Sequence, residues 1–155
     1  MASKIRYTPN WQRLINLVAS RIAAFDGRGT VADTLIIEDD QWVRHLLSHI
    51  LRHAGHTVRE ADNGRTGMAE FQRQRPALVI CDILMPDMEG IETIRAVRRE
   101  DAVTPVIAIY GGDRVHLKLA AKLGATATLK KPFLPNALLS LVEWLLAGSD
   151  ATTTH

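Results

Sequence analysis

The chain of 155 residues contains a single cysteine, Cys81. One cysteine excludes an internal disulfide framework and is typical of a reducing compartment, so we expect a cytoplasmic location. Cys81 directly precedes an aspartate in an apolar run. Its thiol should therefore point to the opposite face of a strand and serve as a buried structural group.

The sequence also lacks any apolar run that approaches the roughly 20 residues of a membrane-spanning helix. Its first ten residues lack the apolar stretch of a secretory signal. The net charge is only +2, which does not favour nucleic acid as a partner. We therefore expect neither membrane insertion nor nucleic-acid binding.

From Thr34 onwards, short β-rich runs alternate with longer amphipathic ones. The pattern predicts strands at 34–38, 56–61, 77–82, 105–110 and 126–130, and helices at 41–55, 65–74, 90–100, 114–125 and 135–146. Strict alternation of this kind predicts an α/β fold, a doubly wound five-stranded parallel sheet with helices on both faces. The apolar strands favour burial on both sides.

Charged groups follow the strands at their carboxyl ends, where parallel sheets carry functional sites. The first strand ends in Glu38, Asp39 and Asp40, Asp82 ends the third, and Lys131 follows the fifth. Two carboxylates about 5 Å apart repel by roughly 3 kcal/mol at an effective dielectric near 20, so a cluster of them needs a cation. Hard oxygen ligands suit Mg²⁺.

A magnesium ion beside an aspartate, with a lysine opposite, would neutralise an incoming phosphoryl group. The pattern therefore predicts phosphoryl transfer onto a carboxylate oxygen, with the aspartate as nucleophile. We interpret Asp40 as the cap of the first helix, since aspartate is a preferred N-cap residue.

Three segments resemble response-regulator receiver domains of the CheY-like type: LIIEDDQWVRHLL at 35–47, LVICDILMPDMEG at 78–90 and KKPF at 130–133. The resemblance covers residues 34–147 and implies a flavodoxin-like sheet of order 2-1-3-4-5. It implies that Asp82 contacts Mg²⁺ and accepts phosphate from a sensor histidine kinase or a histidine phosphotransfer protein. Pro86 and Gly90 match the turn that leads into the third helix.

The resemblance also assigns roles to the residues around the phosphoacceptor. Asp39 matches a direct magnesium ligand and Glu38 one that acts through water, while Leu84 matches the residue whose backbone carbonyl completes the protein ligands. Lys131 matches the lysine that contacts the phosphoryl group. Its peptide bond to Pro132 is expected to be cis.

Two positions depart from the family pattern. Tyr110 ends the fourth strand where the family has Ser or Thr, and Thr128 lies in the fifth strand where an aromatic residue is usual. Tyr110 should either block the phosphate crevice or point elsewhere, and Gly111 and Gly112 would permit an outward placement. We expect Asp82 to be phosphorylated. The resemblance implies that the positions of Tyr110 and Thr128 together form a switch, and we expect the coupling between these two positions to be weakened or rewired.

The expected function is that of a phosphoacceptor receiver in a two-component or phosphorelay system. With a receiver over 34–147 and a flexible tail over 148–155, the chain should act by protein–protein contact on a downstream target, without a DNA-binding output domain. It should not be an enzyme, apart from assisting its own phosphorylation and dephosphorylation. The alternative is a phosphorylation-independent receiver that serves as a docking or dimerisation module.

Residues 1–33 form an extension in which a helix is predicted over about 9–25. Its apolar residues form one helical stripe: Trp11, Leu14, Ile15, Val18, Ile22 and Phe25. An isolated helix of this length is marginal in water, so the stripe requires a partner surface. That surface could be the same domain, a membrane surface or a second subunit. A homodimer could also form through a different surface, the face of helix four, strand five and helix five.

Histidines recur every four residues on the first predicted helix, at His45, His49 and His53. This spacing can bind zinc or nickel on one helix face. We interpret the histidines as a solvated face instead, because apolar residues between them already supply the buried stripe.

Overall fold

The computed structural model describes residues 29–86, 90–112 and 114–150. The helix predicted over about 9–25 and the last five residues of the predicted tail lie outside the described residues. The strands are β1 (Asp33–Ile37), β2 (Thr57–Ala61), β3 (Leu78–Asp82), β4 (Val106–Tyr110) and β5 (Ala127–Lys130). The helices are α1 (Gln41–His53), α2 (Gly64–Arg73), α3 (Gly90–Glu100), α4 (Arg114–Lys122) and α5 (Pro135–Asp150).

The five strands form one parallel sheet in the order β2-β1-β3-β4-β5. This confirms the predicted α/β fold and its strand order. The three central strands are almost completely buried, whereas β2 and β5 at the edges are largely half-buried. Burial on both sides was thus predicted correctly for β1, β3 and β4 only. Strands β2 and β5 are more exposed because each has a neighbouring strand on one side only.

The sheet carries a separate apolar core on each face. Helices α1 and α5 pack on one face and helices α2, α3 and α4 on the other, and alternate residues of each central strand point into the two cores. In β3, Ile80 enters the first core and Cys81 the second. Cys81 is fully buried, as predicted, and burial raises the pKa of its thiol, which makes the thiol unreactive.

Helix α5 runs to Asp150, four residues beyond the end that the apolar pattern predicts at Leu146. The pattern records contacts with the core, and these cease at Leu146. Further helical turns need only backbone hydrogen bonds, which an apolar pattern does not reveal. Within the described part of the chain, no helix has the length and apolar character required to span a bilayer.

A buried histidine connects the start of the sheet to the end of α1. The backbone N–H of Ala32 donates to Nδ1 of His56 at 3.3 Å, and His56 is almost completely buried. Burial lowers the pKa of His56, while the charge of Glu143 acts in the opposite direction. The folded protein therefore favours the neutral ring.

Replacing His56 with asparagine is expected to reduce the loss of stability on the acid side. As the pH falls below 6.5, the ordinary pKa of histidine, the unfolded chain takes up the proton before the folded one, so the free energy of unfolding decreases. Asparagine keeps an acceptor for Ala32 but does not titrate. Urea unfolding at about pH 8 and about pH 5 measures the difference.

The exposed His45 provides the matched control, since His45→Asn makes the same chemical change outside the core. Equal pH dependence of unfolding in the wild type and His56→Asn would show that the folded state does not exclude the charged ring.

Candidate functional site

Three carboxylates meet where β1 and β3 end. Glu38 directly follows β1, Asp82 is the last residue of β3, and these two strands are neighbours in the sheet. One oxygen each from Glu38, Asp39 and Asp82 lies within 4.8 Å of the other two. Glu38 and Asp82 are buried and Asp39 is exposed, so the cluster forms a pocket that opens to solvent on one side. This donor set suits a hard divalent cation.

Lys131 connects the two buried carboxylates. Its Nζ donates to Oε2 of Glu38 at 2.9 Å and to Oδ2 of Asp82 at 3.2 Å. The peptide bond between Lys131 and Pro132 is cis. Lys131 follows β5, so strands at both the centre and the edge of the sheet contribute to this site.

Electrostatics at the site are dominated by the burial of Glu38. Burial raises the pKa of Glu38 to about 8, with Asp82 acting in the same direction and Lys131 opposing both. Burial acts to lower the pKa of Lys131, but the negative charges of Glu38 and Asp82 raise it overall. The lysine therefore stays charged at neutral pH and supplies a fixed positive charge beside Asp82.

The loop after β1 is held by hydrogen bonds on both sides of the acidic pair. Asp40 accepts from the N–H groups of Trp42 at 2.8 Å and Val43 at 3.2 Å, which confirms its predicted role as the cap of α1. Arg44 donates from Nη1 to the carbonyl of Glu38 at 2.7 Å. This contact was not predicted, because the sequence does not indicate the direction of a long side chain.

The turn after β3 orients Asp82. The N–H of Leu84 donates to Oδ1 of Asp82 at 3.3 Å, and the N–H of Gly90 donates to the carbonyl of Ile83 at 2.9 Å. A Cβ atom on Gly90 would lie 1.8 Å from the carbonyl oxygen of Asp82. Helix α3 can therefore begin directly against the backbone of Asp82 only because this residue is glycine. Pro86 is exposed in the same turn.

Tyr110 points inward, so the outward placement considered from the sequence is not observed. Its side chain is fully buried in the core beneath α2, α3 and α4, and its ring stacks on His116 of α4 with centroids 6.2 Å apart. Thr128 is half-buried in β5 and pairs in register with Ala108, two residues before Tyr110. The two unusual residues therefore lie on the same face of the sheet.

The histidines of α1 do not join the carboxylate cluster. His45 and His53 are exposed, as the interpretation of a solvated face requires, whereas His49 is half-buried with its ring 4.2 Å from that of His53. The pKa of His49 is lowered, mainly by burial and to a smaller extent by the charge of His53. Among the residues that the structure describes, the one group that could hold a metal ion is Glu38, Asp39 and Asp82.

Comparison with known proteins places this geometry in a family. The family model described as response regulator receiver domain matches residues 34–143. The transcriptional regulator KdpE of Escherichia coli is 36% identical over 124 residues, which span 79% of this chain and 55% of KdpE. TcrX of Mycobacterium tuberculosis, a probable transcriptional regulatory protein, is 28% identical over 126 residues, spanning 81% of this chain and 54% of TcrX.

Solved structures show the same fold. The chemotaxis protein CheY4 of Vibrio cholerae matches with a TM-score of 0.70 and 34% identity, over 75% of this chain and 99% of CheY4. The chain spans about half the length of the curated relatives it matches. With the family match extending from β1 into α5, the chain belongs to the response regulator receiver domains, the signalling modules of two-component systems.

Proposed function

We propose that this receiver is a phosphoacceptor and that Asp82 takes a phosphoryl group from a phosphohistidine of a sensor kinase or phosphotransfer protein. The position of Lys131 supports the proposal most directly, because its Nζ lies within 3.2 Å of both Glu38 and Asp82. A lysine in this place can pair with phosphoryl oxygens at the moment of transfer.

The acidic cluster fits the magnesium ion that receiver domains bind. Glu38, Asp39 and Asp82 would supply carboxylate oxygens and Leu84 its backbone carbonyl, and the bound ion would offset the negative charge of the incoming phosphoryl group. Asp82 enters the reaction already oriented, because Leu84 donates to Oδ1 and Lys131 to Oδ2.

Transfer makes one bond and breaks one bond. A carboxylate oxygen of Asp82 attacks the phosphorus atom while the phosphorus–nitrogen bond of the donor breaks, and the histidine nitrogen keeps that electron pair. The product is an acyl phosphate on Asp82. Lys131, which pairs with both carboxylates beforehand, would then face the phosphoryl oxygens in place of the ionised Asp82 carboxylate.

Phosphorylation by a small donor tests the proposal without the unknown kinase. The full chain is incubated with acetyl phosphate, with and without Mg²⁺, and examined by intact mass spectrometry. We expect one phosphate that appears only with Mg²⁺, is removed by hydroxylamine as acyl phosphates are, and maps to Asp82. A protein that stays unmodified with Mg²⁺, or is modified at a serine or histidine, would contradict the proposal.

The buried Tyr110 supports a second candidate, a receiver that docks or dimerises without a phosphate-driven switch. The Tyr110 ring already occupies the core on the face that Thr128 shares. Strand β5 contains no aromatic residue that could move into that core on phosphorylation. The face of α4, β5 and α5, which exposes Leu119, would then contact the downstream protein or a second copy regardless of phosphorylation.

Beryllofluoride, a mimic of the phosphoryl group, separates the two candidates by NMR. Shift changes that reach β5 and α4 would support the switch. Changes confined to residues around Asp82 would support docking that is independent of phosphate.

A further inference from the structure

An apolar groove lies at the amino ends of the strands, at the opposite edge of the sheet from Asp82. It consists of two adjoining cavities of about 400 and 540 Å³ that share Val103 and Pro105. We call it the basal groove and define it by Val31, Val103, Pro105, Trp144, Leu145 and Leu146.

Large apolar side chains are unusually accessible in the basal groove. Val31 is 65% exposed, Val103 87% and Trp144 67%. They come from three different segments: the approach to β1, the loop before β4, and α5. A contiguous apolar surface of this kind marks a binding site more often than single exposed residues do.

We propose that residues 10–25 of the same chain occupy the basal groove. The chain enters the described domain at Gly29 and Thr30, and Thr30 itself lines the groove. A Cβ atom on Gly29 would lie 3.0 Å from Oε1 of Glu143, so the entry point is packed beside α5 one residue before Trp144. The incoming chain is therefore delivered to the groove.

The length of the connection favours this occupant over a separate molecule. Residues 26–28 alone separate Phe25, the last residue of the apolar stripe, from Gly29. A connection this short spans at most about 14 Å. The stripe is thus held near the groove at a high effective concentration, which a second protein molecule would have to exceed.

The chemistry of the segment matches that of the groove. The stripe contains two aromatic residues, Trp11 and Phe25, at its ends and aliphatic residues between them. Residues 10–25 contain two basic residues, Arg13 and Arg21, and no acidic one, whereas Asp101 lines the groove and Glu143 lies beside its entrance. The inference does not depend on phosphorylation of Asp82.

Quenching of Trp144 fluorescence by acrylamide tests the proposal in the full chain. Trp11→Phe and Trp42→Phe leave Trp144 as the single tryptophan and keep the stripe apolar. Adding Ile15→Asp and Ile22→Asp should increase the Stern–Volmer constant roughly twofold, because polar groups in the stripe would release it and expose the ring. Ser20→Asp, on the opposite side of the predicted helix, is the matched control and should leave quenching unchanged.

A substitution on the groove side provides an independent arm. Val103→Asp should raise the quenching of Trp144 as the stripe substitutions do, and Val103 is so exposed that the fold will tolerate the change. Equal quenching in every variant would overturn the proposal. Protection of Trp144 that rose with protein concentration, together with a doubled mass in sedimentation, would indicate a second copy and would also overturn the proposal. Protection that arose only when anionic lipid vesicles were added would indicate a membrane surface and would overturn it as well.

Discussion

Asp82→Asn is expected to reduce phosphorylation by acetyl phosphate and Mg²⁺ to an undetectable level while the protein remains folded. An amide lacks the nucleophilic oxygen that forms the acyl phosphate. Asparagine has nearly the same shape, so its carbonyl oxygen can still accept from the N–H of Leu84, and Lys131 keeps Glu38 as a partner. Intact mass spectrometry measures the phosphate, and circular dichroism verifies the fold.

The same substitution should change the electrostatics of Glu38. The negative charge of Asp82 is one cause of the raised pKa of Glu38, after burial. Removing that charge should lower the pKa of Glu38 from about 8 and leave Lys131 paired with a more readily ionised carboxylate. NMR titration of the Glu38 carboxyl carbon detects this change without reference to phosphorylation.

Asp40→Asn is the matched control for Asp82→Asn. It also removes one carboxylate charge near the acidic pair, but Asp40 is an exposed helix cap, and asparagine caps helices about as well as aspartate. Phosphorylation of this variant should stay close to that of the wild type. If Asp82→Asn retained wild-type phosphorylation, the phosphoacceptor would have to be another residue and the proposed function would be wrong.

The convergence of Glu38, Asp82 and Lys131 could be predicted because topology alone determines it. The alternation of strands and helices predicts a parallel sheet, and the carboxyl ends of parallel strands lie at one edge. Residues that follow the strands must then share that edge, whatever the details of packing. The 2.9 Å and 3.2 Å contacts of Lys131 could not be predicted, since they depend on side-chain packing.

The inward direction of Tyr110 could have been predicted. Side chains alternate along a strand, so Tyr110 shares the face of Ala108 and Val106, and all three lie in the core beneath α2, α3 and α4. The sequence interpretation left both placements open, because the glycines that follow Tyr110 would permit an outward one. Glycine permits a conformation but does not require one, and burial of a large ring outweighs that freedom.

The contact between Gly90 and Asp82 could not be predicted from the sequence, because it depends on how closely α3 approaches β3. The sequence identifies Gly90 as the start of a helix, where glycine has several ordinary uses. The structure shows a specific reason, since a Cβ atom would lie 1.8 Å from Asp82 O and 2.6 Å from the Cα of Ile83. Both of these are backbone atoms, which cannot move aside as a flexible side chain can.

Gly90→Ala is therefore expected to lower the free energy of unfolding by about 3 kcal/mol or more, at the upper end of the range for overpacked cores. Relief requires α3 and the end of β3 to separate, and this movement displaces Asp82, the proposed phosphoacceptor. Phosphorylation of the folded variant should consequently slow. Urea unfolding measures the first effect, and the rate of acetyl phosphate labelling at low temperature measures the second.

Gly148→Ala distinguishes steric overlap from the general effect of replacing a helical glycine. Nothing lies within 4 Å of a Cβ atom at Gly148 in α5, so alanine should leave stability unchanged or raise it by up to about 1 kcal/mol. Opposite signs for the two glycines would establish that close approach of α3 to the backbone positions Asp82. Wild-type stability of Gly90→Ala would instead mean that α3 can withdraw freely, and the orientation of Asp82 would then depend on Leu84 and Lys131 alone.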